Sequence, residues 1–189
     1  MNEQLKAELA EEKLGAKIAK ANYSSFLKSI DANMNPDNNT ALLIDDEKGI
    51  RKMVARNLKS FAPNLQIYEA SNGKEGLEKL ADIRRSHSKD PLLIVLDLNM
   101  PVMNGWDFIT QMRHDYEQAG ETQGIPIIVL SSTNGEKGFF TVKSVHYGKN
   151  DYKPLVTVAK ESCLDRSHYS ATGEKGLKAW FQYFLKEKT

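Results

Sequence analysis

Pro91-Leu-Leu-Ile-Val-Leu-Asp97-Leu-Asn99-Met-Pro101-Val-Met-Asn-Gly105-Trp-Asp-Phe-Ile109 is the stretch that decides how this chain folds. Leu92 to Leu96 form a continuous apolar run, the kind of strand found where helices cover both faces of a parallel sheet. The run stops at a carboxylate. Asp97 is therefore expected at the carboxyl end of a central strand, where open α/β sheets hold their ligands. Asn99, Pro101 and Gly105 then bend the chain before a helical pattern takes over from about Gly105 to Gln118.

The same logic repeats on either side. Ala41-Leu-Leu-Ile44 is a short apolar strand that ends in Asp45-Asp46-Glu47, and Ile50, Met53, Val54 and Leu58 follow at helical spacing. Leu65 to Ala70 reads as a strand, and Ser71 opens a helix running to about Arg85 with Leu77 and Leu80 inward. Ile127-Ile-Val-Leu130 ends in Ser131-Ser132-Thr133. Pro154-Leu-Val-Thr-Val-Ala-Lys160 has the character of a last strand, between helices expected at residues 135–147 and 175–186. Strand and helix alternating throughout predict an α/β fold, a doubly wound parallel sheet of five strands with right-handed crossovers. Such a sheet brings Asp45, Asp46, Asp97 and Ser131 to one rim.

Residues 2–31, rich in Ala, Glu, Lys and Leu, are expected to form an N-terminal helical extension. Leu5, Leu9, Tyr23, Phe26 and Ile30 mark its apolar seam, interrupted by Glu12. It is read either as a docking or homodimerising helix or as a frayed appendage. The division expected is 1–37 for this extension and its polar linker, and 38–189 for the main domain.

With 26 basic and 25 acidic residues the formal net charge is +1, so nothing in the overall charge draws the chain to nucleic acid or a membrane. From Gly135 onward ten Lys or Arg face six Asp or Glu, a mild bias more typical of a solvated surface than of a polyanion site. The lone cysteine, Cys163, allows no internal disulfide and lacks the spacing of a zinc site. Glu3, Glu8, Glu11 and Glu12 stand where a signal peptide needs apolar residues, and no run reaches the roughly 18 of a membrane span. The expected location is the cytoplasm.

Three carboxylates brought within about 5 Å repel by roughly 3 kcal/mol per pair at an effective dielectric near 20. A divalent cation that prefers oxygen offsets this. Mg²⁺ suits a rim site because it keeps several waters and takes one or two carboxylates plus a phosphate oxygen. The plainer reading, aspartates that cap helices, is adequate for Asp46 taken alone and inadequate once Asp97 shares the rim.

Leu43-Ile-Asp-Asp-Glu47, Glu69-Ala-Ser-Asn-Gly-Lys-Glu-Gly-Leu77, Leu96-Asp-Leu-Asn-Met-Pro-Val-Met-Asn-Gly105 and Ile127-Ile-Val-Leu-Ser131 closely resemble the receiver domains of bacterial response regulators. The resemblance runs over residues 41–133, in the family's order and spacing. It implies a flavodoxin-like, CheY-like fold whose Asp97 accepts a phosphoryl group from a sensor histidine kinase or histidine phosphotransfer protein. It further implies Mg²⁺ held by Asp46 directly, by Asp45 mainly through water, by Asp97, and by the backbone carbonyl of Asn99. Ser131 takes the place of the hydroxyl that bonds a phosphoryl oxygen, while Asn99 and Thr133 resemble the positions that modulate dephosphorylation.

The family also places a lysine before a proline at the end of the fifth strand. Lys153-Pro154 has the dipeptide and the spacing, 22 residues after Ser131. Lys160 follows the better strand and is preferred, because a phosphate-facing lysine must project from a strand end. The aromatic switch position, three residues before the lysine, is Thr157 or, for Lys153, Asn150. The expected function is a stand-alone receiver and not an enzyme beyond its own phosphorylation chemistry, with no DNA-binding output domain and an unknown downstream protein partner. A phosphate-independent scaffold is the alternative. A Mg²⁺-dependent phosphohydrolase is disfavoured because Asn99 cannot protonate a leaving group.

Overall fold

The computed structural model describes residues 39–121, 124–131, 152 and 155–159. Five strands, β1 (Thr40–Ile44), β2 (Gln66–Ala70), β3 (Leu93–Asp97), β4 (Ile127–Ser131) and β5 (Leu155–Ala159), form one sheet in the order β2-β1-β3-β4-β5. Every pairing is parallel. This is the doubly wound arrangement in which the strand order reverses beside β1, creating a crevice between the ends of β1 and β3. The expected helices over 2–31, 135–147 and 175–186 lie outside the described residues.

Alternation of side chains along the strands sorts the core into two halves. Ala41 and Leu43 of β1, Leu93 and Val95 of β3, and Ile128 and Leu130 of β4 face one side, where α1 (Lys48–Phe61) contributes Ile50, Val54 and Leu58. Leu42, Ile44, Ile94, Leu96, Ile127 and Val129 face the other, against Leu80 and Ile83 of α2 (Gly73–His87) and Phe108, Ile109 and Met112 of α3 (Gly105–Gln118). With apolar residues needed on both faces, the central strands read as unbroken hydrophobic runs.

Several boundaries differ from expectation by a residue or two; β3 runs from Leu93 to Asp97 and not from Leu92, and β4 extends to Ser131. β1 begins one residue early, at Thr40, which is fully buried beside its strand neighbours. β2 begins at Gln66, although Leu65 is still buried. α2 continues to His87, two residues beyond Arg85, because Ser88 adopts a left-handed conformation (φ 54°) and its amide closes on the Arg84 carbonyl. Trp106 and Phe108 pack as expected: Phe108 has no exposed surface and Trp106 lies against the same core.

The start of α2 is fixed by polar groups that sequence position alone leaves ambiguous. The Asn72 side chain accepts the Glu75 amide at 3.0 Å, while Glu75 Oε2 accepts the Ser71 amide at 2.8 Å and its hydroxyl at 2.7 Å. This is a capping box whose carboxylate reaches one residue further back than usual. The Ser71 amide, helped by its hydroxyl and partly opposed by burial, holds the Glu75 carboxyl below the usual carboxylate range. A depressed folded-state pKa stabilises the fold above the unfolded pKa, and that contribution is lost as pH falls through the folded value. Glu75→Gln should therefore lower the urea midpoint at pH 7, with the difference from wild type starting to shrink as pH falls below the usual glutamate pKa of about 4.3 and disappearing only below the lower folded value. A pH-independent difference would show that the charge is not what matters.

Candidate metal and phosphoacceptor site

Ile44 pairs with Leu96 in the β1–β3 ladder, so the next residues, Asp45 and Asp97, emerge side by side from adjacent parallel strands. Strands lie about 4.8 Å apart, which brings the backbones of Asp45 and Asp97 close enough for their carboxylates to meet. Oxygens of Asp45, Asp46 and Asp97 all lie within 4.8 Å of one another. Asp45 and Asp97 are each only 2% exposed, whereas Asp46 is open to solvent. Among the described residues this is the one group of carboxylate, imidazole or thiol side chains close enough to hold an ion.

Backbone amides orient the two buried carboxylates. Asp45 Oδ1 accepts the Glu47 amide at 2.8 Å, and Asp97 Oδ1 accepts the Asn99 amide at 3.3 Å. The turn after β1 is locked from the side by Arg51. Its guanidinium donates to the Asp45 carbonyl at 2.5 Å and to Glu69 Oε2 at 3.0 Å, joining α1 to the ends of β1 and β2. The sequence reading missed Arg51. Its signal was an arginine one helical turn past the acidic pair, flanking the apolar stripe of α1.

The loop after β3 is held equally tightly. The Gly105 amide donates to the Leu98 carbonyl at 3.0 Å, and the Gly73 amide to the Met103 carbonyl at 2.9 Å. A Cβ on Gly105 would run into the Asp97 carbonyl and come within 2.8 Å of Leu98 Cα. Asn104 then caps α3, accepting the Asp107 amide at 3.0 Å. At the tip, Val102 has φ 70° and is 81% exposed, a conformation unfavourable for a β-branched residue and typical of loops fixed by their surroundings.

At 4.8 Å and an effective dielectric near 20, the buried pair Asp45 and Asp97 alone repels by about 3 kcal/mol when both are ionised. An all-oxygen donor set with two buried acids and one exposed acid fits a hard divalent cation that retains part of its water shell.

Ser131 is the last residue of β4, one beyond Leu130, the β-ladder partner of Asp97. It also pairs with Ala159, the last residue of β5. Asn99 lies exposed in the loop after Asp97. Lys153, Lys160, Thr133 and Asn150 lie outside the described residues, and Thr157 pairs with Val129. At the opposite end of the sheet Tyr152, the residue before Lys153, is 2% exposed and its hydroxyl donates to the Ile125 carbonyl at 2.8 Å. Burial, with Tyr116 adjacent, pushes this phenol well above its ordinary pKa, so it remains a neutral donor.

A parallel α/β sheet whose first and third strands deliver three carboxylates to the switch-point crevice has its candidate site where open α/β sheets hold their ligands. Residues 41–155 match the model of the response regulator receiver domain, and the chain belongs to that family. The nitrate/nitrite response regulator protein NarL of Escherichia coli is 38% identical over 136 residues, covering 71% of this chain and 56% of that protein. A protein-glutamate methylesterase/protein-glutamine glutaminase of Geobacillus kaustophilus is 33% identical over 112 residues, 59% of this chain and 28% of that one. The chain thus spans between about a quarter and just over half of these relatives. Among solved structures, the phosphorylated cyanobacterial phytochrome response regulator RcpA superposes with a TM-score of 0.52 at 20% identity, covering 80% of this chain and 96% of that one. The Mn²⁺-bound response regulator Rcp1 gives 0.50 at 20% identity, covering 80% and 98%. These two likenesses bear on the fold. Among the described residues, no helix is long and apolar enough to cross a membrane.

Proposed function

We propose that this chain is a phosphorylation switch in which Asp97 accepts a phosphoryl group from a histidine kinase or histidine phosphotransfer protein and passes the signal on through protein contacts. The clustering of Asp45, Asp46 and Asp97 at the crevice is the observation that carries this reading. An Asp97 carboxylate oxygen attacks phosphorus in line, forming the acyl phosphate bond as the bond from phosphorus to the donor imidazole breaks. The imidazole leaves with the bonding electrons. The Asn99 amide, already on Asp97 Oδ1, restrains the carboxylate for that attack. Asp45, Asp46, Asp97 and the Asn99 carbonyl would hold Mg²⁺, which would supply charge neutralisation at the phosphoryl oxygens. Ser131, ending β4 beside β3, is assigned the hydroxyl that bonds one of those oxygens.

Acetyl phosphate with Mg²⁺ should leave one hydroxylamine-labile phosphoryl group on the protein, located on Asp97 by peptide mapping. Uptake should fail without Mg²⁺ and in Asp46→Ala. Undiminished labelling of Asp46→Ala would remove Asp46 from the ligand set.

For the phosphate-facing lysine we assign Lys160. It directly follows β5, whose last residue pairs with Ser131, whereas Lys153 precedes that strand and follows Tyr152 at the far end of the sheet. The family match stops at residue 155, so this assignment rests on the strand and not on the match. Lys160→Ala should weaken binding of beryllofluoride, a mimic of the aspartyl phosphate, by about tenfold or more, and Lys153→Ala by much less. The reverse order, read by fluorescence titration, would return the role to Lys153.

A further inference from the structure

At the end of the sheet remote from Asp97 the described residues enclose a cavity of about 280 Å³. It opens where the chain enters β3 and β4 and where α2 and α3 end, apart from the acidic crevice. Its deepest lining is apolar. Met112 and Ile125, 2% and 4% exposed, form that lining, and beside them stands the half-buried Tyr116 ring, edge-on to Tyr152 with 5.3 Å between centroids.

The rest of the wall is charged, with Asp90, Asp115 and Glu121 against one cation, Arg84. Arg84 already pairs with Asp90 at 2.6 Å, so those two charges offset each other. Among the described residues no basic side chain pairs with Asp115 or Glu121. Asp115 takes a neutral donor, the Gln111 side-chain amide at 2.9 Å. Glu121 is brought round to the cavity by the turn that closes α3, in which Gly120 has φ 74° and the Glu121 amide donates to the Tyr116 carbonyl at 2.9 Å.

The end of α3 adds to this negative character. Lys59 lies in the last turn of α1 and Arg84, Arg85 and His87 in that of α2, whereas the last turn of α3 has no basic residue. Carbonyls at a helix C-terminus carry the negative end of the dipole and favour a cation beside them. That cation is not a single metal ion. Among the described residues only Asp45, Asp46 and Asp97 bring their carboxylates close enough together to hold one. Carboxylates set apart across an apolar surface fit a ligand whose positive groups are themselves set apart, with hydrocarbon between them.

We propose that this cavity binds a small organic dication, an alkyl chain with an ammonium group at each end. The methylenes lie on Met112 and Ile125, and the ammonium groups meet Asp115 and Glu121. At about 30 Å³ per water the cavity has room for roughly nine waters, enough for a diamine of about seven non-hydrogen atoms.

The test is a titration of the full chain with pentane-1,5-diamine, followed by backbone amide shifts at constant ionic strength. Mg²⁺ is kept in excess so that the cluster of Asp45, Asp46 and Asp97 does not compete for the probe. Saturable shifts are expected at Met112, Tyr116 and Ile125, with pentylamine binding about tenfold more weakly and pentane-1,5-diol not binding. Asp115→Asn/Glu121→Gln should lose tenfold or more in affinity, with its amide shifts around Asp97 matching the wild type as proof of folding. Absence of saturable shifts at those three residues overturns the proposal. Equal binding by wild type and variant does the same, as does equal binding of the diol. Methylammonium binding as tightly as the diamine would leave the apolar lining without a role and overturn it too.

Discussion

Asp97→Asn is expected to take up no phosphoryl group from acetyl phosphate and, in the absence of divalent cations, to melt at a higher temperature than the wild type. The first result follows because an amide is not a nucleophile toward phosphorus, and the neighbouring Asp45 is oriented by a different amide, that of Glu47. The second separates this site from a merely structural carboxylate. Asp97 is 2% exposed, within 4.8 Å of Asp45, so replacing it with an isosteric neutral group removes repulsion of about 1 to 3 kcal/mol. The Asn99 amide keeps an acceptor, since the new side chain retains a carbonyl oxygen. A gain of several degrees is expected for a domain of this size. Added Mg²⁺ should narrow the gap, because it stabilises the wild type by binding only the folded state. Calorimetry with and without Mg²⁺ and intact-mass measurement after acetyl phosphate check both halves. An adduct on Asp97→Asn, or a lower melting temperature without metal, would remove Asp97 from the centre of the site.

Gly105→Ala damages the fold and the site together. The added methyl meets the backbone of Asp97 and Leu98, not the far end of a flexible side chain, so no rotamer change relieves it. Overpacking of this kind costs about 1 to 3 kcal/mol. Here the atom that must yield is the carbonyl of the phosphoacceptor itself, and displacement should also stretch the bond from the Gly105 amide to the Leu98 carbonyl. The expected outcome is a lower urea midpoint with beryllofluoride affinity reduced by about tenfold or more in the fraction that remains folded. Gly49→Ala is the control, because its Cβ, in the exposed first turn of α1, would meet nothing within 4 Å and a helix-favouring residue there is neutral or stabilising. Equal midpoints for Gly105→Ala and wild type would show that the loop repacks freely.

These two experiments probe features that stood in the sequence to different degrees. Asp97 was legible because burial on both sheet faces forces an uninterrupted apolar run, and the first charge after such a run marks a strand end. Asp45 and Asp46 were legible for the same reason, and parallel topology by itself carries all three to one rim. β5 was legible as the apolar run after Pro154, and the ladder from Ile127–Leu155 to Ser131–Ala159 bears it out. Gly105 was read only as a bend. That the position excludes any side chain depends on where the Asp97 carbonyl lies, which is a through-space fact.

What the sequence alone determined is therefore the period of each element, the order of elements and the residues at their ends, since hydrophobic burial and turn chemistry act locally along the chain. What only the tertiary structure decided is how groups distant in sequence share space. The Glu69 carboxylate and the Asp45 carbonyl meet on one arginine of α1, and the Tyr152 hydroxyl reaches the Ile125 carbonyl at the start of β4. The five basic residues of α1 were equally visible in the sequence, yet which of them stay exposed and which one bonds across to β2 waited on the fold. Charges of either sign lie along a chain without consequence until packing turns one helix face outward and places its first turn beside the carboxylates.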